Sequence, residues 1–288
     1  MKSSGPSKRK DHLRHAPEEG RALKYEEYFN LFTNLFSSLP CRAWVSALVN
    51  EPEYKEMIPV KDKYVEAGTE GAFITLMVVL GLNDYQLKGR AETHYWPRLR
   101  QILIDSKVPS SLEELINILQ PFYAKERLGK VKIQRMRKFL GSYLARELWR
   151  SSPLKLSERI HYIWRELMRI MNQKPESKTI VFSLKTLAIA LMLLGARKID
   201  FSGVDIPVDL RIKKFTPNLT DDEVRYLWKQ VLVRIKRKCP EVSMLRLDSF
   251  LWQLSGEKGF TRRVRYLTSL GLSKEESLHI AKVLEKYL

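Results

Sequence analysis

The chain has 288 residues, with 51 lysines and arginines against 33 aspartates and glutamates, for a formal net charge of +18. This length is enough for one large domain or two modest ones, each with a buried core. The excess of positive charge indicates a polyanionic partner, because each phosphate that a lysine or arginine neutralises releases counterions. The alternative is a basic enzyme without such a partner.

The cysteines and histidines limit the metal and redox chemistry. Cys41 and Cys239 lie far apart and form no CxxC pair, which excludes a disulfide framework, a four-cysteine zinc site and a four-cysteine iron–sulfur cluster. We expect each cysteine to be a separate, buried apolar residue. The histidines form no HExxH or similar ligand pair. The sequence therefore predicts neither a metal nor a cofactor.

Residues 1–24 are polar and rich in lysine and arginine, without the apolar core of a signal peptide. They predict a flexible basic tail, which either contacts a phosphate backbone or is a solvated terminus without a role. The longest apolar stretch of the chain, residues 72–82, is too short to span a bilayer. We therefore expect a cytoplasmic protein with no membrane partner.

The remainder, residues 25–288, is predicted to be one helical unit. Apolar residues recur at intervals of three and four in segments 28–36, 72–82, 112–119 and 160–171. Two pairs have the spacing of a capping box, Thr220 with Glu223 and Ser273 with Glu276. No segment alternates as a strand would. The pattern predicts an all-α protein of about ten or more helices.

The helix predicted from Lys178 onward has an unusual polar face. At about 100° per residue, Lys178, Phe182 and Lys185 form a stripe opposite a broad apolar arc. By itself this stripe is also compatible with a solvated basic face that carries one stray phenylalanine. Downstream, Pro207 rigidifies a loop and Asp209 stands at the N-cap of a further helix. An aspartate there is a carboxylate fixed at the positive end of a helix.

Five segments resemble those of one known family. KTIVFSLK from Lys178 and DIPVDLR from Asp205 are similar to the signature of the archaeal 8-oxoguanine DNA glycosylase family (AGOG), a branch of the helix-hairpin-helix DNA glycosylases. Three others resemble family segments in the same order: EPEYKEM from Glu51, YQLKGRAETHYW from Tyr85 and LRLDSFLW from Leu245. The resemblance covers roughly residues 50–255. It implies two helical subdomains with the active site in the cleft between them.

The resemblance also implies roles for individual residues. Lys178 matches the Schiff-base nucleophile and Asp209 the catalytic carboxylate. The residues that match the base-binding positions are Glu53, Tyr95, Phe182, Lys185, Asp248 and Trp252. Two of these depart from the family pattern, because Glu53 replaces a glutamine and Tyr95 a tryptophan.

These residue types suit the implied chemistry. Cleavage of an N-glycosidic bond gives the sugar oxocarbenium character, which a nearby carboxylate stabilises. An amine nucleophile forms a covalent sugar adduct and then an imine that can eliminate the 3′ phosphate. Lys185 is a possible cationic neighbour that favours the neutral, reactive amine of Lys178. A base that leaves the duplex would stack on Phe182 and Trp252 and donate hydrogen bonds to Asp248.

The sequence therefore predicts a monomeric DNA repair glycosylase with abasic-site lyase activity. Its expected substrate is damaged DNA, double- or single-stranded, from which it excises an oxidised purine such as 8-oxoguanine. Glu53 leaves open a glycosylase for another damaged base, such as an oxidised or deaminated pyrimidine. A non-catalytic helical nucleic-acid-binding protein is a further alternative, although such a protein would not need both Lys178 and Asp209.

Overall fold

The computed structural model describes residues 19–288, and all of their regular secondary structure is helical. The prediction of an all-α fold is therefore confirmed. The α-helices are α1 Glu19–Ser37, α2 Cys41–Val49, α3 Pro52–Glu66, α4 Glu70–Asn83, α5 Trp96–Asp105, α6 Leu112–Ala124, α7 Gly129–Leu140, α8 Tyr143–Arg150, α9 Pro153–Ser157, α10 Ile160–Met171, α11 Lys178–Leu193, α12 Leu210–Lys213, α13 Asp221–Lys236, α14 Met244–Gly256, α15 Phe260–Ser269 and α16 Lys274–Leu284. A short π-helical turn, Ala91–Tyr95, precedes α5.

The helices enclose two separate hydrophobic cores. The first core takes its side chains mainly from residues 48–204, on α3 to α11. The second combines residues 28–47 near the start of the chain with residues 206–284 near its end. Two helical subdomains result, as the family resemblance implies, and the second of them combines residues that are far apart in the chain.

The helix ends and lengths test the predicted capping boxes, the predicted N-terminal tail and the expectation that no segment spans a bilayer. Both expected capping boxes are present, at Thr220 and at Ser273. Residues 1–18 of the predicted tail lie outside the described residues. Residues 19–24 already belong to α1, because this stretch contains strong helix formers and continues without a break into the rest of that helix. No helix in the described part of the chain has the length and apolar character needed to cross a bilayer.

Helix α11 is held against α4 by a close approach of their backbones. A Cβ at Gly81 would lie 2.2 Å from Thr186 Oγ1 and 2.9 Å from Ser183 Cα. Glycine is therefore required on α4, and small residues face it from α11. The contact fixes α11 in the first core and thereby fixes the position of its first residue, Lys178.

The hairpin before α11 is anchored by an arginine of α7. Helix α10 ends at Met171, and the next residue, Asn172, adopts a left-handed conformation with φ of 52°. Arg135 on α7 donates hydrogen bonds to Gln173 Oε1 at 3.2 Å and to Thr179 Oγ1 at 3.0 Å. Thr179 in turn donates to Gln173 at 2.9 Å. This network holds the hairpin that connects α10 to Lys178, the first residue of α11.

The structure corrects the expectation that the two cysteines are separate. Cys41, at the start of α2, and Cys239, just after α13, form a disulfide with their Cα atoms 5.4 Å apart. They are not isolated apolar residues. Their separation of 198 positions hid the pairing in the sequence, because only the folding of the second core brings the two cysteines together.

We predict that this bond stabilises the second core. Closing so long a loop restricts the unfolded chain, and a native disulfide contributes about 2–4 kcal/mol. A reductant should therefore lower the free energy of unfolding of the native protein by about that amount. The variant carrying both Cys41→Ser and Cys239→Ser should not respond to it. Two titratable thiols in the oxidised, unfolded protein would contradict the pairing.

Candidate active site

A pocket of about 440 Å³ opens between the two cores. It is polar at its floor and partly apolar along its walls. Its lining includes Glu53 from α3, Asp84 after α4, Lys178, Phe182 and Lys185 from α11, Pro207, Asp209 and Leu210 around the start of α12, and Asp248 and Trp252 from α14. The predicted stripe on α11 therefore faces a pocket, and the interpretation as a solvated face is wrong: Lys185 is only 3% exposed.

Lys178 and Asp209 meet at the mouth of this pocket. The Lys178 side chain is 46% exposed, and its Nζ lies 3.4 Å from Asp209 Oδ2. The other oxygen, Oδ1, accepts hydrogen bonds from the backbone N–H groups of Arg211 at 2.9 Å and Ile212 at 3.0 Å. Asp209 is thus the predicted N-cap of α12. One oxygen orients the carboxylate, and the other is left to face the lysine amine.

The floor of the pocket is a buried ion cluster centred on Lys185. Its Nζ lies 2.5 Å from Glu51 Oε1, 2.9 Å from Asp248 Oδ2 and 3.8 Å from Glu53 Oε1. All four side chains are almost completely buried. Three carboxylates surround one ammonium, so Lys185 has no net positive charge to spare. The expectation that Lys185 activates Lys178 as a cationic neighbour is therefore corrected.

Burial and mutual repulsion shift the proton affinities of this cluster. Burial raises the pKa of Glu51 to about 8, helped by the charge of Glu53 and opposed by Lys185. Burial likewise raises the pKa of Glu53 to about 7. Burial disfavours the charged form of Lys185, but the surrounding carboxylates outweigh it and raise its pKa. The lysine therefore stays charged, while the carboxyl groups compete for protons near neutral pH.

The two aromatic side chains of the pocket each carry a cation on one face. Lys185 Nζ lies 5.5 Å from the ring centroid of Phe182. The guanidinium of Arg211 stacks on the Trp252 indole at 3.7 Å. Glu92, in the π-helical turn, accepts a hydrogen bond from Arg211 at 2.9 Å. This ion pair links the rims of the two subdomains across the mouth of the pocket.

Two further acidic residues belong to this site although the sequence analysis did not assign them. Glu51 is the nearest carboxylate partner of Lys185 and is the first residue of the EPEYKEM segment. Asp84 lines the pocket one residue before the YQLKGRAETHYW segment. Trp96 Nε1 donates to its Oδ2 at 3.0 Å. Burial raises the pKa of Asp84 to about 6, against the opposing charge of Lys178. The sequence signal for these two residues was their position, since Glu51 begins one of the segments that resemble the family and Asp84 immediately precedes another.

Tyr95 does not reach the pocket, so its expected contact with a base is corrected. The ring is completely buried in the first core. Its hydroxyl donates to Leu80 O at 3.0 Å and pairs with the Tyr123 hydroxyl at 3.1 Å. The chain widens into the π-helical turn just before α5, and Tyr95 at its end is directed inward. Tyr95 therefore supports the π-helical turn from the side of the first core.

A larger cavity, of about 860 Å³, lies along residues 196–204 and 240–246. It contains lysines, among them Lys198 and Lys229, but Lys229 is paired with Asp205 at 2.5 Å. Its aromatic lining is confined to Phe201. The smaller pocket combines an accessible amine, a facing carboxylate and two aromatic walls. It is therefore the better candidate for covalent chemistry.

Comparison with known proteins gives consistent matches. A family model described as AGOG, N-glycosylase/DNA lyase, matches residues 33–280. An N-glycosylase/DNA lyase of Methanopyrus kandleri is 27% identical over 180 residues, covering 62% of this chain and 71% of the relative. The namesake from Thermococcus kodakarensis is 26% identical over 197 residues, covering 65% and 69%.

A solved structure shows the same fold. It is the crystal structure of Pa-AGOG, an 8-oxoguanine DNA glycosylase from Pyrobaculum aerophilum, complexed with 8-oxoguanosine. The TM-score is 0.64 at 19% identity, and the match covers 89% of this chain and 96% of the other.

The Lys185 cluster predicts an unusual pH dependence of stability. A carboxyl group whose pKa is raised on folding binds more protons in the folded state, so its contribution is lost as pH rises from its ordinary value of 4.5 towards its folded value of about 8. Thermal unfolding followed between pH 5 and about 8.5 should show this decline. Glu51→Gln should flatten it, whereas the exposed control Glu113→Gln should not. An unchanged slope in Glu51→Gln would show that Glu51 is ionised throughout.

Proposed function

Because this chain belongs to the AGOG family of N-glycosylase/DNA lyases, we propose that its pocket excises 8-oxoguanine, or a closely related oxidised purine, from DNA. We assign Lys178 as the nucleophile and Asp209 as the carboxylate that stabilises the reacting sugar. The observation that carries this assignment is the 3.4 Å approach of the Lys178 amine to a carboxylate whose second oxygen is fixed by the backbone. The solved neighbour, named as an 8-oxoguanine DNA glycosylase, supports the choice of lesion.

The reaction proceeds in four steps at the sugar: displacement of the base, ring opening, elimination and hydrolysis. The neutral amine of Lys178 bonds to C1′ while the bond from C1′ to the base breaks and the base leaves with the electron pair. The carboxylate of Asp209 stabilises the positive charge that develops on the sugar. Ring opening then gives an imine between Lys178 and C1′. Loss of a proton from C2′ expels the 3′ phosphate, and water finally hydrolyses the imine to release the lysine.

Asp84 is suited to accept the proton that Lys178 loses. It lines the same pocket, its pKa of about 6 lies close to neutrality, and the charge of Lys178 acts on it directly. A proton acceptor works best when its pKa is near the operating pH. Asp209, with one oxygen already bound to the backbone, remains available to the sugar.

The floor of the pocket suits a base rich in N–H donors. One oxygen of Glu53 and one of Asp248 are buried without a hydrogen-bond partner. A guanine-type base offers N1–H and an exocyclic amino group, and its 8-oxo form adds N7–H. Burying such donors against unpaired acceptors is favourable, whereas a base that presents acceptors there leaves them all unsatisfied. Phe182 and Trp252 supply stacking surfaces that tolerate many bases.

We further propose that the enzyme is a monomer that acts in the cytoplasm on damaged DNA, double- or single-stranded. The net charge of +18 supports such a partner through counterion release.

A covalent intermediate on Lys178 can be trapped. Borohydride reduction of a reaction on DNA that contains 8-oxoguanine should give a stable protein–DNA adduct. Lys178→Gln should abolish the adduct, because among residues 19–288 this is the amine that faces the Asp209 carboxylate. The matched control Lys198→Gln, which removes an exposed lysine of the larger cavity, should trap as well as the unmodified protein. Undiminished trapping in Lys178→Gln would place the nucleophile elsewhere.

A substitution of Asp209 should impair base excision without impairing DNA binding. Asp209→Asn keeps an N-cap acceptor for α12 while removing the negative charge, so the fold is retained. Single-turnover excision should fall by about 100-fold to 1,000-fold, the scale at which an electrostatic stabiliser acts. Affinity for lesion duplex, measured by fluorescence anisotropy, should stay within about twofold. A parallel loss of affinity would make Asp209 a structural residue only.

A further inference from the structure

A narrow neck connects the floor of the pocket to the larger cavity of about 860 Å³. The neck has a volume of about 10 Å³, room for about one water molecule. It shares part of its lining with each of the two spaces. From the pocket it takes Lys185, Pro207 and Asp248, and from the larger cavity Phe201, Val204, Met244 and Leu245.

One wall of the neck is a loop that few backbone hydrogen bonds hold. Residues 194–209 connect α11 to α12 without regular secondary structure, and loops longer than about 12 residues usually have a function. In the described part of the chain, residues 197–208 make one backbone–backbone hydrogen bond, from Val204 N–H to Phe201 O at 3.2 Å. It closes a β-turn in which Gly203 has a φ of 75°. This turn presents Phe201 and Val204 to the neck.

Polar side chains fasten the loop to the neighbouring helices. Asp205 Oδ1 lies 2.5 Å from Nζ of Lys229 on α13, and the lysine side chain is 45% exposed. His161 Nε2 on α10 lies 3.3 Å from Asp200 Oδ2 and 3.2 Å from Ser202 Oγ. Such exposed pairs contribute little to stability. Displacing the loop therefore costs less free energy than opening either core.

The mouth of the pocket is covered when the base is set free. In the proposed reaction, Lys178 stays joined to the sugar until the imine is hydrolysed. The DNA therefore remains over the opening that Lys178 and Asp209 line. The excised base is then enclosed between this DNA and the floor of the pocket, where the neck begins.

We propose that the neck is the exit route of the excised base, which passes between the loop and α14 into the larger cavity while the DNA is still attached at the mouth. This inference rests on the proposed function, because it requires a free purine base in the pocket. The neck must widen for a purine to pass. Displacement of the turn at residues 201–204 widens it and leaves Lys178 on α11 in place.

The larger cavity is suited to receive a free base. Its volume lies within the range of about 300–1,000 Å³ that is usual for small-molecule sites. Lys198 and the half-buried Arg246 line it and offer N–H donors to the carbonyl oxygens of an oxidised purine. Arg246 Nη1 donates to Glu241 O at 3.1 Å, which orients the guanidinium. Exposed side chains such as Val233 at its edge open the cavity to solvent.

The test measures how long the excised base stays with the covalent adduct. A duplex with an isotopic label in its 8-oxoguanine base is reacted in a single turnover and reduced with borohydride. Gel filtration at increasing times then gives the label that remains with the adduct. Val204→Phe should slow its loss by about tenfold, because the added bulk must be displaced. Lys229→Gln, which frees Asp205 and loosens the loop, should speed the loss by about twofold to fivefold.

Excision itself, measured in the same reactions, should stay within about twofold in both variants. Val65→Phe is the matched control, because Val65 is 41% exposed on α3 and lines neither cavity nor the neck. It should lose the label at the rate of the unmodified protein.

Equal rates of loss in all four proteins would overturn the proposal and place the exit at the mouth. Slower excision in Val204→Phe would overturn it as well, because the neck would then belong to the base-binding pocket. If Val204→Phe fails to fold, the faster loss expected in Lys229→Gln still decides. Failure of the proposed function is distinguishable, since the unmodified protein would then form no adduct and release no labelled base.

Discussion

The buried ammonium of Lys185 is the interaction on which the site depends. It binds Glu51 and Glu53, which flank Pro52 at the start of α3, and Asp248 on α14, so that it joins the first core to the second. Burying four ionisable groups costs free energy and does not by itself stabilise a fold. Removing the ammonium would leave carboxylates unpaired, at a cost of about 3–5 kcal/mol. The cluster therefore specifies one arrangement of the two subdomains, and the pocket is the space which that arrangement leaves.

The stripe of Lys178, Phe182 and Lys185 on α11 runs from the mouth of the pocket to its floor. Lys185 lies at the floor, Phe182 on the wall and Lys178 at the mouth. Seven residues of helix separate the two lysines by about 10 Å, enough for a purine and its bond to the sugar. The floor holds three carboxyl groups against one ammonium and retains buried oxygens without hydrogen-bond donors. In the proposed function the same helix presents recognition at one end and chemistry at the other, and the hairpin held by Arg135 keeps Lys178 in place.

Much of this was predictable because it is local. Helical periodicity, the capping boxes and the N-cap at Asp209 depend on neighbouring residues, and the Lys178–Phe182–Lys185 stripe follows from one helix. The remaining features depend on segments that are distant in the chain. The pairing of Cys41 with Cys239 and the contact of Glu51 with Lys185 arise only when both cores have formed. Tyr95 was expected in the pocket, but the π-helical turn rotates it into the first core, and its neighbour Trp96 instead orients Asp84.

The most direct test is a crystal structure of the Lys178→Gln variant bound to a DNA duplex that contains one 8-oxoguanine. The lesion base should lie in the pocket between α11 and α14, against Phe182, with its N–H groups directed at Glu53 and Asp248. Its C1′ should face residue 178 and Asp209. A base that remains stacked in the duplex, or one bound in the larger cavity beside Lys198, would contradict the account.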